Sequence, residues 1–154
     1  MPASEYVLSL RERIGTDLLL LPTVAVLARD ELGRLLLVRH VESERWATVG
    51  GTIEPDESPV DAAVRETQEE AGVTVAIGRL LTALGGPEYR LTYLNGDQCS
   101  VVSLVYEATV TGGEPRPDND ETSEVGWFHL EEVQSLELNE FNRRLLTVAL
   151  PLLG

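Results

Sequence analysis

With 154 residues and 43% hydrophobic content, the chain suits one compact domain around a single core and leaves little room for a second. Its 26 acidic against 12 basic side chains give a formal charge of -14, which repels the phosphate backbone of DNA or RNA and argues against a nucleic-acid polymer as partner. A small phosphorylated ligand stays open, because a bound divalent cation reverses the local field where carboxylates cluster. Cys99 is the one cysteine, so no intrachain disulfide forms and nothing points to an oxidising compartment. Residues 1–15 lack a sustained apolar h-region and the longest mostly apolar run, 18–28, is too short to span a bilayer. The expectation is a soluble cytoplasmic protein with no membrane partner.

Taken in chain order, Ser4 caps a helix over about 4–14, with Val7, Leu10, Arg11 and Ile14 at helical spacing. Runs 23–29 and 34–40 read as strands around a turn at Asp30, Glu31, Leu32 and Gly33, a hairpin by local pattern. Ser58 before Pro59 starts a helix and Gly72 after Ala71 stops it, which predicts a helix over 59–71. Residues 73–77, 79–84, 90–94 and 99–110 read as strands, with Asn95-Gly96 and Gly112-Gly113 as turns, and 125–130 as one more. Asn139 caps a closing amphipathic helix over about 139–150 whose buried face is Phe141, Leu145, Leu146, Val148 and Ala149, ending near Pro151. Strands on both sides of a central helix, with helices at the ends, give one unit over residues 1–154: an α/β fold of the α+β type, a mixed sheet between helices.

The chemistry concentrates in residues 51–73. Three glutamates and an arginine fall within six residues of the 59–71 helix, which must also bury a stripe. At about 100° per residue, Val60, Val64, Thr67 and Ala71 share one face and Glu66, Glu69 and Glu70 an adjoining one. Carboxylates at i,i+3 and i,i+4 repel by a few tenths of a kcal/mol per pair unless a cation joins them. Several hard oxygen donors in one patch suit magnesium or manganese, which commonly bridge to substrate phosphates. Arg65 reaches Glu69 at i,i+4 or turns to Glu57 in the preceding loop. Gly50 and Gly51 lack side chains where a strand meets that loop, which lets backbone approach a metal or phosphate and permits positive φ.

The segment resembles the Nudix box, in which a glycine, a glutamate, an Arg-Glu pair, a Glu-Glu pair and a closing glycine recur at fixed spacing. Gly51, Glu57, Arg65, Glu66, Glu69, Glu70 and Gly72 match every such position, and seven constrained positions in one window make a chance match improbable. The resemblance implies the Nudix αβα sandwich and hydrolysis of a nucleoside diphosphate linked to another group, X. It also implies a Mg2+ cofactor, or Mn2+, held by Glu66, Glu69 and Glu70 beside Gly51. Glu69 is then the catalytic candidate within the helix, with Arg65 and Glu57 supporting it. Three positions depart from the commonest pattern: Val49 stands where many members have proline, Asp56 where they have glycine, and Thr67 where they have an aliphatic residue.

Outside the box, a glutamate from a late loop in this family often adds a ligand or acts as general base, which singles out Glu121 ahead of Glu124. Substrate-binding candidates are Gly50, Trp46 and Tyr89, the aromatics for stacking on a base, and Glu124 if it is not the base. His40 and His129 read as a strand end and a sheet residue and are given no catalytic part. Residues 93–97 resemble a substrate-touching turn of one Nudix subgroup, but a hairpin turn is the simpler reading. For X, ADP-ribose or a related nucleotide sugar leads and a noncanonical nucleoside triphosphate is the alternative; a nucleotide-binding sensor without turnover is the alternative of another class. A homodimer is compatible with the family, with apolar residues of 7–21 as its interface.

Overall fold

The computed structural model describes residues 4–154; the first three residues of the expected domain span lie outside that range. Helix α1 (Glu5–Ile14) begins where Ser4 Oγ accepts the Val7 N–H at 3.2 Å, as the cap requires. Strands β1 (Leu19–Arg29), β2 (Leu35–His40), β3 (Trp46–Ala47) and β4 (Val49–Thr52) precede helix α2 (Pro59–Ala71). Strands β5 (Thr74–Leu84), β6 (Arg90–Thr92), β7 (Gln98–Gly112) and β8 (Thr122–Phe128) follow it, and helix α3 (Glu140–Ala149) closes the fold. Pro151 sits in a 3-10 turn, Leu150–Leu152, that ends α3 as expected.

Strand β1 organises the sheet. It pairs in parallel with β7 from Leu19↔Cys99 to Arg29↔Thr109, and antiparallel with β4 from Thr23↔Thr52 to Val26↔Val49. The expected hairpin of β1 with β2 is therefore reduced to one paired position, Arg29↔Leu35. With the edges of β1 taken, β2 pairs instead with β8 and β3. Two strands expected over 73–77 and 79–84 are one, β5, whose register shifts between Ile77 and Leu80 absorb Gly78 as an irregularity rather than an end. His129, expected within a sheet, instead opens the 3-10 turn Leu130–Ser135, its N–H donating to Glu132 Oε1 at 2.8 Å.

Alternation along the central strands makes the two faces of the sandwich. Val24, Val26 and Ala28 of β1 with Leu36 and Val38 of β2 pack against Ala62, Ala63 and Ala71 of α2. The intervening Ala25, Leu27, Leu35 and Leu37 pack against Leu145, Leu146 and Ala149 of α3. A period-2 strand buried on both faces reads as a continuous apolar run, which is what residues 24–28 and 35–38 show. The mixed sheet between helices agrees with the expected α+β class.

Candidate functional site

Local chemistry places α2. Ser58 Oγ accepts the Asp61 N–H at 3.1 Å, Pro59 occupies the first turn, and Gly72 takes φ 73° at the C-cap. The face it buries includes Thr67 and Ala71 of the expected stripe, with Val64 partly buried against the core, but it is shifted away from Val60. Val60 is 43% exposed, while Ala62, Ala63, Glu66, Thr67, Glu70 and Ala71 are buried. Small alanines let α2 lie close to the sheet, and that approach carries Glu66 and Glu70 inward with them; only Glu69 of the three remains exposed. Thr67, where an aliphatic residue is commoner, satisfies its hydroxyl by donating to Ala63 O at 2.7 Å.

The double glycine receives those two carboxylates. The Gly50 N–H donates to Glu70 Oε1 at 2.8 Å, and a Cβ on Gly51 would collide with the Glu66 carboxylate. A Cβ on Gly50 would collide with the Val24 carbonyl. Neither glycine has positive φ among the described residues, so close approach alone requires them, not left-handed backbone. Asp56, by contrast, sits at φ 66°, which explains why glycine is common there and why Asp, tolerant of that region, replaces it. Val49 is a fully buried strand residue paired with Val26.

Arg65 makes both alternatives at once. Its Nε and Nη2 bind Glu57 at 2.7 and 2.9 Å, Nη2 also reaches Thr52 O at 3.1 Å, and Nη1 holds Glu66 Oε1 at 2.9 Å and Glu69 Oε2 at 3.2 Å. The guanidinium thus ties loop, strand and helix together, a fork–fork geometry that an ammonium cannot copy. Hydrogen bonding to Glu57 raises the Arg65 pKa further, and the same bond holds Glu57 below its usual range.

Burial dominates elsewhere. It pushes Glu66 up to about 7 against the pull of Arg65, with Glu69 and Glu121 adding to the rise. It lifts Glu70 well above the carboxylate range despite the Gly50 N–H, and Glu66 and Glu121 push the same way. Glu121 is raised too, by burial and by Asp118 and Glu69. Three carboxylates raised in this way, Glu66, Glu70 and Glu121, make a site of concentrated negative potential. Among the described residues, no three acidic groups converge as a ready metal cluster, since Arg65 holds Glu66 and Glu69. The donor set still fits a hard divalent cation: all oxygen, mutually repelling, with Glu70 Oε2 buried and without a hydrogen-bond partner.

Beside this cluster opens a cavity of about 720 Å³. Gly50, Gly51 and Glu121 line it, joined by His40, Arg45, Thr48, Tyr93, Asn139, Phe141 and Asn142. Of the proposed substrate contacts only Gly50 faces it. Trp46 packs edge-to-face on Phe128 at 4.9 Å within the α3 side of the core. Tyr89 is buried behind the wall, edge-to-face on Phe141 at 5.7 Å. Glu124 sits outside, 3.5 Å from Arg39. The structure places these three off the cavity: Tyr89 is buried, Trp46 is partly buried against the core, and the paired strand β2 draws Glu124 to Arg39 across register Arg39↔Glu124.

Several wall residues were not singled out by the sequence. Asn142, buried on α3, accepts from the Thr48 N–H at 3.0 Å and the Thr48 hydroxyl at 3.1 Å, fixing the link between β3 and β4. The signal available was a polar residue on the apolar side of an amphipathic helix. Tyr93, in the turn read as structural, lines the cavity, and His40 lines it with its pKa lowered by burial.

Comparison with known proteins agrees with this geometry. A family model described as the NUDIX domain matches residues 19–148. A MutT-like protein of Streptomyces ambofaciens is 31% identical over 124 residues, 80% of this chain and 73% of that one. A Bacillus subtilis (strain 168) protein provisionally named an 8-oxo-dGTP diphosphatase is 28% identical over 102 residues; the match spans 66% of this chain and 62% of the relative. Among solved structures, the MutT protein of Methanosarcina mazei Go1 superposes with a TM-score of 0.67 at 26% identity, over 83% of this chain and 91% of that one.

Proposed function

Because the chain belongs to the Nudix hydrolase family, we propose that it hydrolyses the diphosphate linkage of a small nucleotide, a nucleoside diphosphate joined to X, with residues 1–154 as one catalytic domain. The observation that carries this reading is the junction of a carboxylate cluster with an open cavity at Gly50, Gly51 and Glu121. Glu66, Glu69, Glu70 and Glu121 would hold divalent ions, magnesium or manganese by donor chemistry, which supply charge neutralisation on the diphosphate and a more acidic bound water. Arg65, with Glu57, fixes the orientation of Glu66 and Glu69. Gly50 and Gly51 leave room for phosphate oxygens beside the carboxylates. Glu121, on the cavity wall, is our choice for proton acceptor from the attacking water.

ADP-ribose or a related nucleotide sugar is the first choice for X: apart from Arg45, no Arg or Lys lines the cavity, whose wall is neutral polar and apolar around His40, Thr48 and Phe141 with the acids Glu42, Asp120 and Glu121 among them. A nucleoside triphosphate is the second, favoured by the name of the Bacillus relative. Product analysis separates them, a nucleotide sugar giving nucleoside monophosphate and sugar phosphate and a triphosphate giving nucleoside monophosphate and pyrophosphate. The test of the class is Glu70→Gln, which keeps an acceptor for the Gly50 N–H and removes one anionic oxygen. Magnesium-dependent turnover of a nucleotide panel should fall about a hundredfold or more, a loss of the size expected for a disturbed metal site. Turnover within a few-fold of wild type would remove Glu70 from the machinery. Nucleotide binding by wild type without any phosphate release would replace the enzyme with a sensor.

A further inference from the structure

We infer that Arg45 is the substrate-binding cation of the cavity, taking phosphate oxygens of the nucleotide that cations held by the carboxylate cluster would not neutralise; this rests on the hydrolase reading above. Every basic side chain of the chain is an arginine, twelve in all. Among the described residues lining the cavity, Arg45 is the one Arg or Lys, against Glu42, Asp120 and Glu121.

The fold also keeps Arg45 from its own acids. In a chain of net charge -14 most arginines find carboxylates: Arg39, one strand position from the same turn, lies 3.5 Å from Glu124, and Arg65 holds three glutamates. Arg45 has no carboxylate within 4 Å among the described residues, and its one side-chain hydrogen bond is a long contact from Nη1 to Leu138 O at 3.4 Å. Its backbone is held: the N–H donates to Ser43 Oγ at 3.2 Å, and its carbonyl accepts from the His40 N–H at 3.0 Å. A tethered backbone with Nε and Nη2 uncommitted presents a fork of donors to the cavity. Phosphate is the ligand that such a fork matches in charge and in bidentate geometry.

Position gives the division of labour. Arg45, just before β3, lines the cavity with Ala47, Thr48, Gly50 and Gly51, and the glycines lie beside Glu66 and Glu70. Cations at the glycine end would be bound by carboxylates, and the cation at the other end is built into the chain. A nucleotide anion entering a cavity whose other charged side chains, Glu42, Asp120 and Glu121, are acids then meets attraction at both ends.

The experiment compares wild type, Arg45→Ala and Arg45→Lys with magnesium and each nucleotide the wild type hydrolyses. Arg45→Ala should raise KM about tenfold and leave kcat within about threefold, and Arg45→Lys should recover part of the loss, since a point charge replaces a fork. A structural role through Leu138 would instead lower the melting temperature and leave KM alone. KM of Arg45→Ala within about twofold of wild type overturns the inference and leaves the hydrolase reading standing. If wild type hydrolyses nothing, that reading fails on its own, and calorimetric Kd values for inorganic pyrophosphate with magnesium decide: equal Kd in wild type and Arg45→Ala overturns the inference, and weaker binding by the variant supports it.

Discussion

Two adjacent glycines carry different burdens, and a single added methyl separates them. At Gly50 the new Cβ meets the Val24 carbonyl, part of the β1 backbone, which cannot move without disturbing a ladder paired on both sides. At Gly51 it meets the end of the Glu66 side chain, which can rotate away. Gly50→Ala should therefore lose about 1–3 kcal/mol of stability, the range for overpacking against rigid neighbours, with Gly51→Ala losing clearly less. Activity should rank differently, since Gly51→Ala displaces a carboxylate of the site and Glu66 leaves Arg65 with it. Urea denaturation and turnover of the two variants check this; equal stability losses would sink the distinction. Sequence alone marked both glycines and gave them the same two reasons, close approach of backbone to a metal or phosphate and freedom of φ. The space they leave is set by β1 and α2, distant in the chain, and so was not legible at 50–51.

Between elements, what was local was readable and what was paired was not. The Ser58 cap, Pro59 and Gly72 placed α2 to the residue, and Ser4 and Asn139 did the same for α1 and α3. The parallel pairing of β1 with β7 joins residues some 80 positions apart and leaves no local trace. On the other edge of β1, β4 displaced the expected hairpin partner, and β2, paired with β8 instead, drew Glu124 to Arg39. Trp46 and Tyr89 lie off the cavity for a related reason: aromatic type reveals burial readily, but which side of a wall a ring occupies depends on the elements behind it. The Asn142 bonds to Thr48 are such a cross-element tie, and they steady the stretch of wall that leads to the glycines. Asn142→Ala leaves a buried Thr48 N–H and hydroxyl without their acceptor, at a cost of about 1–3 kcal/mol, whereas Asn142→Asp keeps the acceptor. Thermal melts should place Asn142→Ala well below both wild type and Asn142→Asp. Comparable melting for Ala and wild type would mean the tie contributes nothing.

For the molecule as a whole, the buried glutamates make stability depend on pH in a direction opposite to ordinary ion-paired carboxylates. Glu66 rises from 4.5 to about 7 on folding and Glu70 rises as well, so the folded chain binds protons more tightly than the unfolded one. Their contribution is complete below the unfolded value, declines as pH climbs through the interval, and for Glu66 alone its loss amounts to roughly 3 kcal/mol above pH 7. Glu57, Asp118 and Asp30 are lowered instead, and what they add disappears only in acid, below the unfolded range. The two groups therefore act in separate windows, one from about pH 4.5 to 7 and one below about pH 4. A divalent cation bound by the cluster must displace those protons, so its apparent affinity grows with pH. Binding to the folded state alone stabilises by RT ln(1 + [L]/Kd), about 2.7 kcal/mol at a hundred times Kd. Saturating magnesium should accordingly raise the melting temperature more at pH 8 than at pH 5.5, while without metal the protein should melt lower at pH 8 than at pH 5.5. General repulsion at net charge -14 also grows with pH, so Glu66→Gln is the control: it keeps the surface charge nearly intact and should flatten the metal-free decline and shrink the magnesium effect together. A magnesium shift of the same size at both pH values, or a decline untouched in Glu66→Gln, would place the coupling somewhere other than this helix.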